Sequence, residues 1–357
     1  MSKVVVAMSG GVDSSVAAAL LIQQGYEVTG MMLKLWSEPG MEDANRCCSP
    51  DSMAQARRVA AKLDIPFYVI DAKDIFYKTI IPYFLDGYAS GRTPNPCLVC
   101  NRHIRWEFLL NHAVAMGADF MATGHYVRKQ TAPDGRQLLL RGIDPLKDQS
   151  YVLHVMTQEK LKKALFPVGD FQKADIRRIA ESFGLSVAKR PDSQDLCFLA
   201  GGDYRDFLQR NARDILIPGN IVNREGRVLG QHSGLPNYTI GQRKGLGLAL
   251  SEPLYVLRKD NENNTLIVGF ANELGSVELV AVNVNWTCGV PHYEPFRAMV
   301  KTRYTAALAP AVVSPNETAT EVTVKFDTPQ RDITSGQAAV FYDDEIVIGG
   351  GLIINSK

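Results

Sequence analysis

A segment near the amino terminus has the residue types of an anion-binding loop. It reads Ala7-Met-Ser-Gly-Gly-Val-Asp-Ser-Ser15 and lies between a short apolar run and a helical pattern. Backbone N–H groups at the start of a helix attract anions, and the serine hydroxyls add further donors. The segment lacks the Gly-Lys-Ser/Thr ending of a Walker A motif, so it predicts a phosphate site of another kind. The structural alternative is a glycine turn between a strand and a helix.

A second segment carries two closely spaced cysteines. In Gly91-Arg-Thr-Pro-Asn-Pro-Cys-Leu-Val-Cys-Asn101, Cys97 and Cys100 have CxxC spacing, which by itself fits a zinc, iron–sulfur or redox site. A structural zinc site needs a second spaced pair, whereas Cys47 and Cys48 are adjacent. The glycine and prolines before Cys97 predict an ordered loop.

A third segment, Arg190-Pro-Asp-Ser-Gln-Asp-Leu-Cys-Phe198, holds a single cysteine in a polar loop. Lys189 and Arg190 precede Cys197, and nearby cations favour the reactive thiolate. The alternative is an inert, buried thiol, which is the commoner fate of an isolated cysteine.

Polar residues also interrupt the apolar pattern at three later places. Ala122-Thr-Gly-His-Tyr126 and Leu146-Lys-Asp-Gln-Ser-Tyr-Val-Leu153 lie between apolar runs, and sites in α/β proteins lie outside the carboxyl ends of strands. His125 is therefore a candidate site residue, with a hydrogen-bonded structural role as the alternative. Thr239-Ile-Gly-Gln-Arg-Lys-Gly-Leu-Gly247 is glycine-rich and basic, which fits either a contact to a phosphate backbone or a turn.

These segments lie in a chain of ordinary globular composition. It has 357 residues, of which 46% are hydrophobic and 22% charged, which is enough for two or three domains. The formal net charge of +1 neither supports nor excludes a nucleic-acid partner. No apolar run approaches the roughly 20 residues that span a bilayer, so we expect no membrane segment. Six cysteines without an export signal indicate reduced thiols and a cytoplasmic protein.

The elements that position the candidate residues alternate between strand and helix in the first half of the chain. Strands are predicted at Lys3 to Met8, Glu27 to Leu35, Pro66 to Ile70 and Asp119 to Thr123, and helices at Asp13 to Gln24 and Ser52 to Leu63. This alternation predicts an α/β N-terminal domain over residues 1–200, with a parallel sheet and helices on both faces. A helix at Tyr204 to Asn211 and a hairpin around Asn223-Arg-Glu-Gly226 predict a small mixed or β linker domain over 201–275. Only strand patterns follow Ser276, so we expect a C-terminal β-barrel over 276–357.

Taken together and in this order, the motifs resemble those of the bacterial tRNA-specific 2-thiouridylases, a family of the PP-loop ATP pyrophosphatase superfamily. The resemblance covers nearly the whole chain, through SGGVDSS, GRTPNPCxxCN, ATGHY, KDQSYVL, RPDSQDLCF, TIGQRKGLG and a closing GGGL. It implies an adenine-nucleotide α-hydrolase-like first domain and ATP-dependent 2-thiolation of the wobble uridine, U34, of tRNA. AMP would be transferred to the C2 oxygen and sulfur would come from a cysteine persulfide, giving 2-thiouridine, AMP and pyrophosphate.

The same resemblance implies the site residues. ATP would bind at Ala7, Met8, Ser9, Gly10, Gly11, Val12, Asp13, Ser14, Leu33 and Gly124, with Asp13 positioning Mg²⁺ and the nucleotide. Cys197 would carry the persulfide, and Cys100 would be the nucleophile that forms a disulfide with Cys197 when sulfur is released. The target base would lie against Asn95, Pro96 and Cys97, and tRNA would contact His125, Lys147, Asp148, Gln149, Arg303, Tyr304 and Gln337.

The implied partners are the anticodon stem-loop of tRNA, expected to be that of the Lys, Glu and Gln tRNAs, and a protein that supplies sulfur. The supplier would be a cysteine desulfurase or a sulfur-relay protein, and no membrane is involved. Cys47, Cys48 and Cys288 have no counterpart role, so we expect them only to pack.

One departure from the family pattern leaves the mechanism open. Well-studied relatives have Asp where this chain has Cys97, so the general base is unassigned. Cys97, Cys100 and Cys197 could instead hold a [4Fe–4S] cluster whose open iron binds hydrosulfide as the sulfur source. Two functional alternatives also stand: another PP-loop adenylating synthetase with a small-molecule acceptor, and an RNA-binding module without enzymatic activity.

Overall fold

The structure, a computed structural model, describes residues 1–41, 49–191, 196–199, 202–248, 252–331 and 333–356. In chain order its strands are β1 (Lys3–Ala7), β2 (Glu27–Lys34), β3 (Phe67–Asp71), β4 (Phe120–Thr123), β5 (Val127–Thr131), β6 (Gln137–Arg141), β7 (Ala164–Leu165), β8 (Gly219–Val222), β9 (Val228–His232), β10 (Tyr255–Asp260), β11 (Thr265–Gly269), β12 (Ser276–Asn285), β13 (Phe296–Lys301), β14 (Ala309–Pro315), β15 (Glu321–Gln330), β16 (Ala338–Asp343) and β17 (Ile346–Ser356). Its α-helices are α1 (Val12–Gln23), α2 (Pro50–Lys62), α3 (Lys73–Ala89), α4 (Pro96–Val99), α5 (Leu110–Ala115), α6 (Ser150–Leu153), α7 (Gln158–Lys162), α8 (Lys173–Ser182) and α9 (Tyr204–Asn211). A π-helix, Cys100–Leu109, follows α4 directly. Among the helices of these ranges, none is long and apolar enough to cross a membrane.

Five parallel strands form the N-terminal sheet, in the order β3-β2-β1-β4-β7. Along β1, Val4 and Val6 pack into one apolar cluster with α1 and α3, whereas Val5 packs into another with α5 and α6. Helices therefore cover both faces, as an apolar parallel sheet requires, and the predicted α/β fold is confirmed. Because β1 lies between β2 and β4, the loops that follow these strands meet at one edge of the sheet.

The later part of the chain is built mainly from antiparallel strands, with one parallel pairing, between β8 and β11. A four-stranded sheet has the order β10-β11-β8-β9, and β8 and β9 form the hairpin expected around Asn223. Six strands then close into a barrel in the order β12-β15-β14-β13-β16-β17, with β17 pairing back to β12. Inward-facing residues such as Ala281, Val324 and Phe341 fill its core, and the predicted C-terminal barrel is confirmed.

A hairpin from the N-terminal part of the chain extends the barrel sheet. β5 and β6 pair antiparallel, and Leu140 of β6 pairs with Ile346 of β17. The Nη2 atom of Arg128 also lies 2.8 Å from a carboxylate oxygen of Glu345. The sequence patterns do not predict this hairpin, which begins directly after Tyr126.

The barrel packs against the second face of the N-terminal sheet. Ala338 and Val340 of β16 share an apolar cluster with Val5 and Trp106. Tyr151 of α6 is fully buried there, and its hydroxyl donates to the carbonyl oxygen of Ala338 at 3.1 Å and accepts from the Ala338 N–H at 2.9 Å. This contact fixes the start of β16 relative to α6.

Candidate active site

The anion-binding loop joins the carboxyl end of β1 to the start of α1. Gly10 has a φ of +73°, and a Cβ atom there would lie 2.2 Å from the carbonyl oxygen of Ser52 in α2. In the described structure no side chain caps α1, because its N-cap residue is Gly11, which has no side chain. The hydroxyls of Ser14 and Ser15 donate back to the Gly11 carbonyl oxygen at 3.2 and 2.8 Å. The first-turn N–H groups are therefore left to a ligand, and the loop can bind an anion.

The other residues expected to bind ATP lie at the same edge of the sheet. A Cβ atom on Gly124, just after β4, would be 2.6 Å from the backbone nitrogen of Ser14, so the two loops touch. Leu33 lies near the carboxyl end of β2, the strand on the other side of β1. Met8 and Val12 are buried in the core, so they offer a ligand their backbone rather than their side chains.

The carboxylate of Asp13 is held by two side chains from distant parts of the chain. The Nζ atom of Lys173 lies 2.8 Å from both carboxylate oxygens, and the hydroxyl of Tyr126 donates to Oδ1 at 2.6 Å. Mg²⁺ in nucleotide sites usually binds one or two carboxylates plus substrate phosphates, and a carboxylate at the phosphate loop fits that requirement. Lys173 is not among the residues predicted from the sequence, because a lysine at the start of a helix has no pattern of its own.

The cysteines occupy different environments. Cys97 is exposed in α4, Cys100 begins the π-helix, and Cys197 begins a short 3₁₀ turn. Cys100 and Cys197 are both half-buried and pack against the same apolar cluster, which includes Phe198. Within the described ranges no three His, Cys, Asp or Glu side chains are grouped so as to hold a metal ion. In this arrangement the three thiols do not fit a [4Fe–4S] cluster.

The structure also describes the surroundings of Cys288 and of Arg190, a cation that precedes Cys197 in the chain. Cys288 is buried, its thiol donates to the Val290 carbonyl oxygen at 3.4 Å, and burial raises its pKa, which fits a packing role. Cys47 and Cys48 lie outside the described residues. The guanidinium of Arg190 contacts Asp51 and the Ser52 hydroxyl, both at 3.0 Å, so its charge is directed to the start of α2.

The segment expected to line the target base docks onto the barrel. The amide of Asn95 donates to Oε1 of Gln337 at 3.5 Å, and Nε2 of Gln337 donates to the Thr93 carbonyl oxygen at 2.8 Å. Burial raises the pKa of Tyr304, and the nearby Asp148 and Cys97 raise it further. The structure thus brings Asn95 and Cys97 together with Tyr304 and Gln337, which lie more than 200 positions later in the chain.

Three of the residues expected to contact tRNA are engaged inside the protein. His125 is only 6% exposed, its Nδ1 lies 2.8 Å from the Thr123 hydroxyl, and burial, with a smaller effect of Arg105, lowers its pKa to about 3, so it is neutral at pH 7. Asp148 is 4% exposed and accepts hydrogen bonds from the Gly142 and Ser150 backbone N–H groups, both at 3.1 Å. Gln149 accepts the Tyr126 N–H at 3.0 Å. These contacts hold the loop in place, while Lys147 lies half-buried on its surface.

A basic cleft lies beside the barrel. It has a volume of about 880 Å³ and is lined by the glycine-rich segment that begins at Thr239, by Arg205 of α9 and by Arg303. Lys244 adds a further cation to its wall. Arg303 also donates to the Ile240 carbonyl oxygen at 3.2 Å and contacts Thr334, which joins the glycine-rich segment to the barrel. The glycine-rich segment therefore forms part of the cleft wall.

Comparison with known proteins gives matches along the whole chain. Family models described as the tRNA methyl transferase HUP domain, the tRNA methyl transferase PRC-barrel domain and the aminomethyltransferase beta-barrel domain match residues 2–201, 205–270 and 276–353. The chain is 48% identical to the tRNA-specific 2-thiouridylase MnmA of Acetivibrio thermocellus over 355 residues, which is 98% of this chain and 99% of the relative. It is 48% identical to the protein of the same name from Heliobacterium modesticaldum, covering 99% of this chain and 92% of that relative.

Solved structures give weaker matches. The U34-tRNA thiolase NcsA from Methanococcus maripaludis, solved with its [4Fe-4S] cluster, aligns with a TM-score of 0.36 and 20% identity. The alignment covers 58% of this chain and 67% of that one. A likeness this weak bears on neither the reaction nor the cofactor of this chain.

Proposed function

We infer the reaction of this chain from one premise, that it belongs to the family of tRNA-specific 2-thiouridylases. It is a tRNA sulfurtransferase that uses ATP to introduce sulfur at C2 of a uridine. We further propose that the target is the wobble uridine, U34, so that the enzyme is a tRNA-uridine 2-sulfurtransferase. The domain boundaries that we propose are 1–200, 201–275 and 276–357.

The nucleotide is proposed to bind at the phosphate loop. The uncapped N-terminus of α1 supplies N–H donors to the phosphates, and Gly124 brings the end of β4 against it. Mg²⁺, when bound, neutralises phosphate charge, and Asp13 is the residue that would hold it. Transfer of AMP to the C2 oxygen turns a poor electrophile into one with a good leaving group.

The thiols are proposed to act in sequence after adenylation. The terminal sulfur of a persulfide on Cys197 attacks C2, AMP leaves with its bonding electrons, and a C2–S–S–Cys197 adduct forms. The Cys100 thiolate then attacks the Cys197 sulfur, which leaves sulfur on the base and a Cys100–Cys197 disulfide for an external dithiol to reduce. Both cysteines are half-buried against the apolar cluster of the N-terminal domain, so both thiols belong to the domain that holds the phosphate loop. A [4Fe–4S] route finds no fitting ligand group in the described residues.

The tRNA is proposed to lie across the barrel and the loop that docks on it. The observation that carries this proposal is the contact of Asn95 and Thr93 with Gln337, because it places the proposed target-base segment beside barrel residues. Tyr304 can stack on an unpaired base, and Arg303 with the basic cleft can contact phosphates. A flipped-out wobble base of the Lys, Glu or Gln tRNA would enter beside Cys97. A cysteine desulfurase or sulfur-relay protein would supply the persulfide.

The test uses the anaerobic protein with Mg-ATP, an unmodified glutamate-tRNA transcript and a low-molecular-weight persulfide, with 2-thiouridine and AMP quantified by mass spectrometry. The parent protein is expected to form both, and AMP only when tRNA is present. Cys197→Ser should still form AMP but no 2-thiouridine, and Asp13→Ala should form neither while binding tRNA normally. Cys288→Ser is the matched control and should behave like the parent. Formation of 2-thiouridine by Cys197→Ser would remove the persulfide from that residue.

A further inference from the structure

We propose that Lys173 is a catalytic residue of the adenylation step, which binds the phosphates of ATP and stabilises the departing pyrophosphate. The proposal rests on the proposed function in taking ATP as the donor of AMP. It adds a residue from α8 to a site so far built from the carboxyl ends of β1, β2 and β4 and the start of α1.

The Lys173 ammonium lies next to the phosphate loop. Its Nζ atom lies 2.8 Å from both carboxylate oxygens of Asp13, in the first turn of α1 and directly after the phosphate loop. The Lys173 side chain is only 12% exposed, so its charge is directed to the loop rather than to solvent. A full positive charge thus lies beside a site built to bind an anion.

The charge balance of the phosphate loop also requires a cation at this position. The start of an α-helix carries roughly half a positive charge, which matches only part of the charge of a triphosphate. A carboxylate such as Asp13 repels phosphate unless a cation is paired with it. Without nucleotide, Lys173 supplies that cation. When nucleotide arrives with its metal, Asp13 has a second cation to pair with, and the flexible lysine stem lets the ammonium turn to the phosphates.

Contacts around Lys173 keep it close when it leaves the carboxylate. The Lys173 N–H donates to Oδ2 of Asp144 at 3.0 Å, which anchors the start of α8. Ile176 of α8 packs into the same cluster as Val16 of α1. The ammonium also lies 5.7 Å from the ring centroid of Tyr126, an aromatic face that can hold a cation.

The proposed step conserves atoms and electrons. The uracil C2 oxygen forms a bond to the α-phosphorus, and the bond from that phosphorus to the bridging oxygen of pyrophosphate breaks. The electron pair stays on this oxygen, to which Lys173 donates an N–H hydrogen bond while remaining protonated. The N3 proton of the uracil passes to water, and no atom changes its oxidation state.

The experiment compares Lys173→Met and Lys173→Arg with a control, Lys129→Met. Lys129 is also a half-buried lysine of the N-terminal domain, but its Nζ atom donates to the carbonyl oxygens of Leu161 and Ala164 at 3.1 and 2.7 Å. Single-turnover AMP formation is measured at saturating ATP and tRNA, and the dissociation constant of Mg-pyrophosphate is measured without tRNA.

For Lys173→Met we expect AMP formation to slow by about 100- to 1,000-fold, the usual cost of removing one preorganised donor. Mg-pyrophosphate should bind at least about tenfold more weakly, since one charge-assisted hydrogen bond is lost. Lys173→Arg should recover part of both losses, because it keeps the charge and the pairing with Asp13, and Lys129→Met should match the parent in both.

Parent-like AMP formation and pyrophosphate affinity in Lys173→Met would overturn the proposal. If the parent itself formed no AMP with tRNA, the proposed function would fail instead. In that case the pyrophosphate measurement would still decide whether Lys173 contacts phosphate.

Discussion

Replacing Gly10 with alanine tests whether the phosphate loop depends on its close approach to α2. An alanine at a φ of +73° costs about 1–2 kcal/mol in backbone strain. Its Cβ atom would also lie 2.2 Å from the Ser52 carbonyl oxygen, more than 1 Å inside ordinary contact, so the loop or α2 must move. Gly25 is the matched control, because it has a φ of +86° and a Cβ atom there would meet nothing within 4 Å.

Gly25→Ala should therefore be destabilised by backbone strain only, because its Cβ atom meets no neighbouring atom. We expect its midpoint of thermal unfolding to fall by a few degrees, at about 2–4 °C per kcal/mol for a domain of this size, with unchanged affinity for ATP. Gly10→Ala should lose at least as much stability. A displacement of about 1 Å in a catalytic constellation costs on the order of 100-fold, so its ATP affinity or AMP formation should fall by about that factor.

The assay is thermal unfolding followed by circular dichroism, together with titration calorimetry of Mg-ATP and single-turnover AMP formation. The reasoning is refuted if Gly10→Ala and Gly25→Ala bind ATP and form AMP equally well. The loop geometry around Ser52 would then have no part in nucleotide binding.

Three further predictions concern other parts of the molecule. Cys100→Ser should form AMP and then accumulate a protein–tRNA adduct linked through Cys197. Dithiothreitol should release this adduct. Formation of free 2-thiouridine without added thiol would contradict the prediction. Tyr151→Phe leaves the buried Ala338 N–H without its acceptor and should cost about 1–3 kcal/mol in urea unfolding, whereas an unchanged midpoint would show that water replaces the hydroxyl. Burial lowers the pKa of Lys259 to about 8, and its ammonium has no hydrogen-bond partner in the described structure. Since the unfolded chain holds this proton up to about pH 10.4, stability should rise between pH 8 and that value. Lys259→Met should remove the rise and be more stable below pH 8 by up to roughly 3 kcal/mol, and an unchanged pH profile would contradict the assignment.

The sequence patterns predicted the elements whose periodicity is local. The strand at Lys3 to Met8 and the helix from Asp13 are observed as β1 and α1 with ends shifted by one residue, since a buried strand and a helix start leave clear signals. Local patterns do not mark the bounds of β14, because Pro310 and Pro315 lie within it and proline usually argues against a strand.

The candidate site was less accessible to sequence reasoning, because its contacts join residues far apart in the chain. The phosphate loop was recognisable from its own residues. By contrast, the ion pair of Lys173 with Asp13 spans 160 positions, and the burial of His125 and Asp148 depends on how a polar loop folds back onto α6 and the barrel. The roles of the individual residues remain predictions for the experiments above.

The β5–β6 hairpin belongs to the barrel sheet in space, although it lies in the first domain along the sequence. Its first strand starts at the residue after Tyr126, whose hydroxyl holds Asp13, and its second strand pairs with β17 of the barrel. In a chimaera that exchanged only residues 276–357 between relatives, β6 would come from one protein and β17 from the other. The contact of Arg128 with Glu345 would likewise join side chains from two different proteins. The exchangeable module is the barrel together with residues 127–141. One segment of backbone therefore runs from the nucleotide end of the enzyme into the barrel sheet beside the surface proposed to bind tRNA.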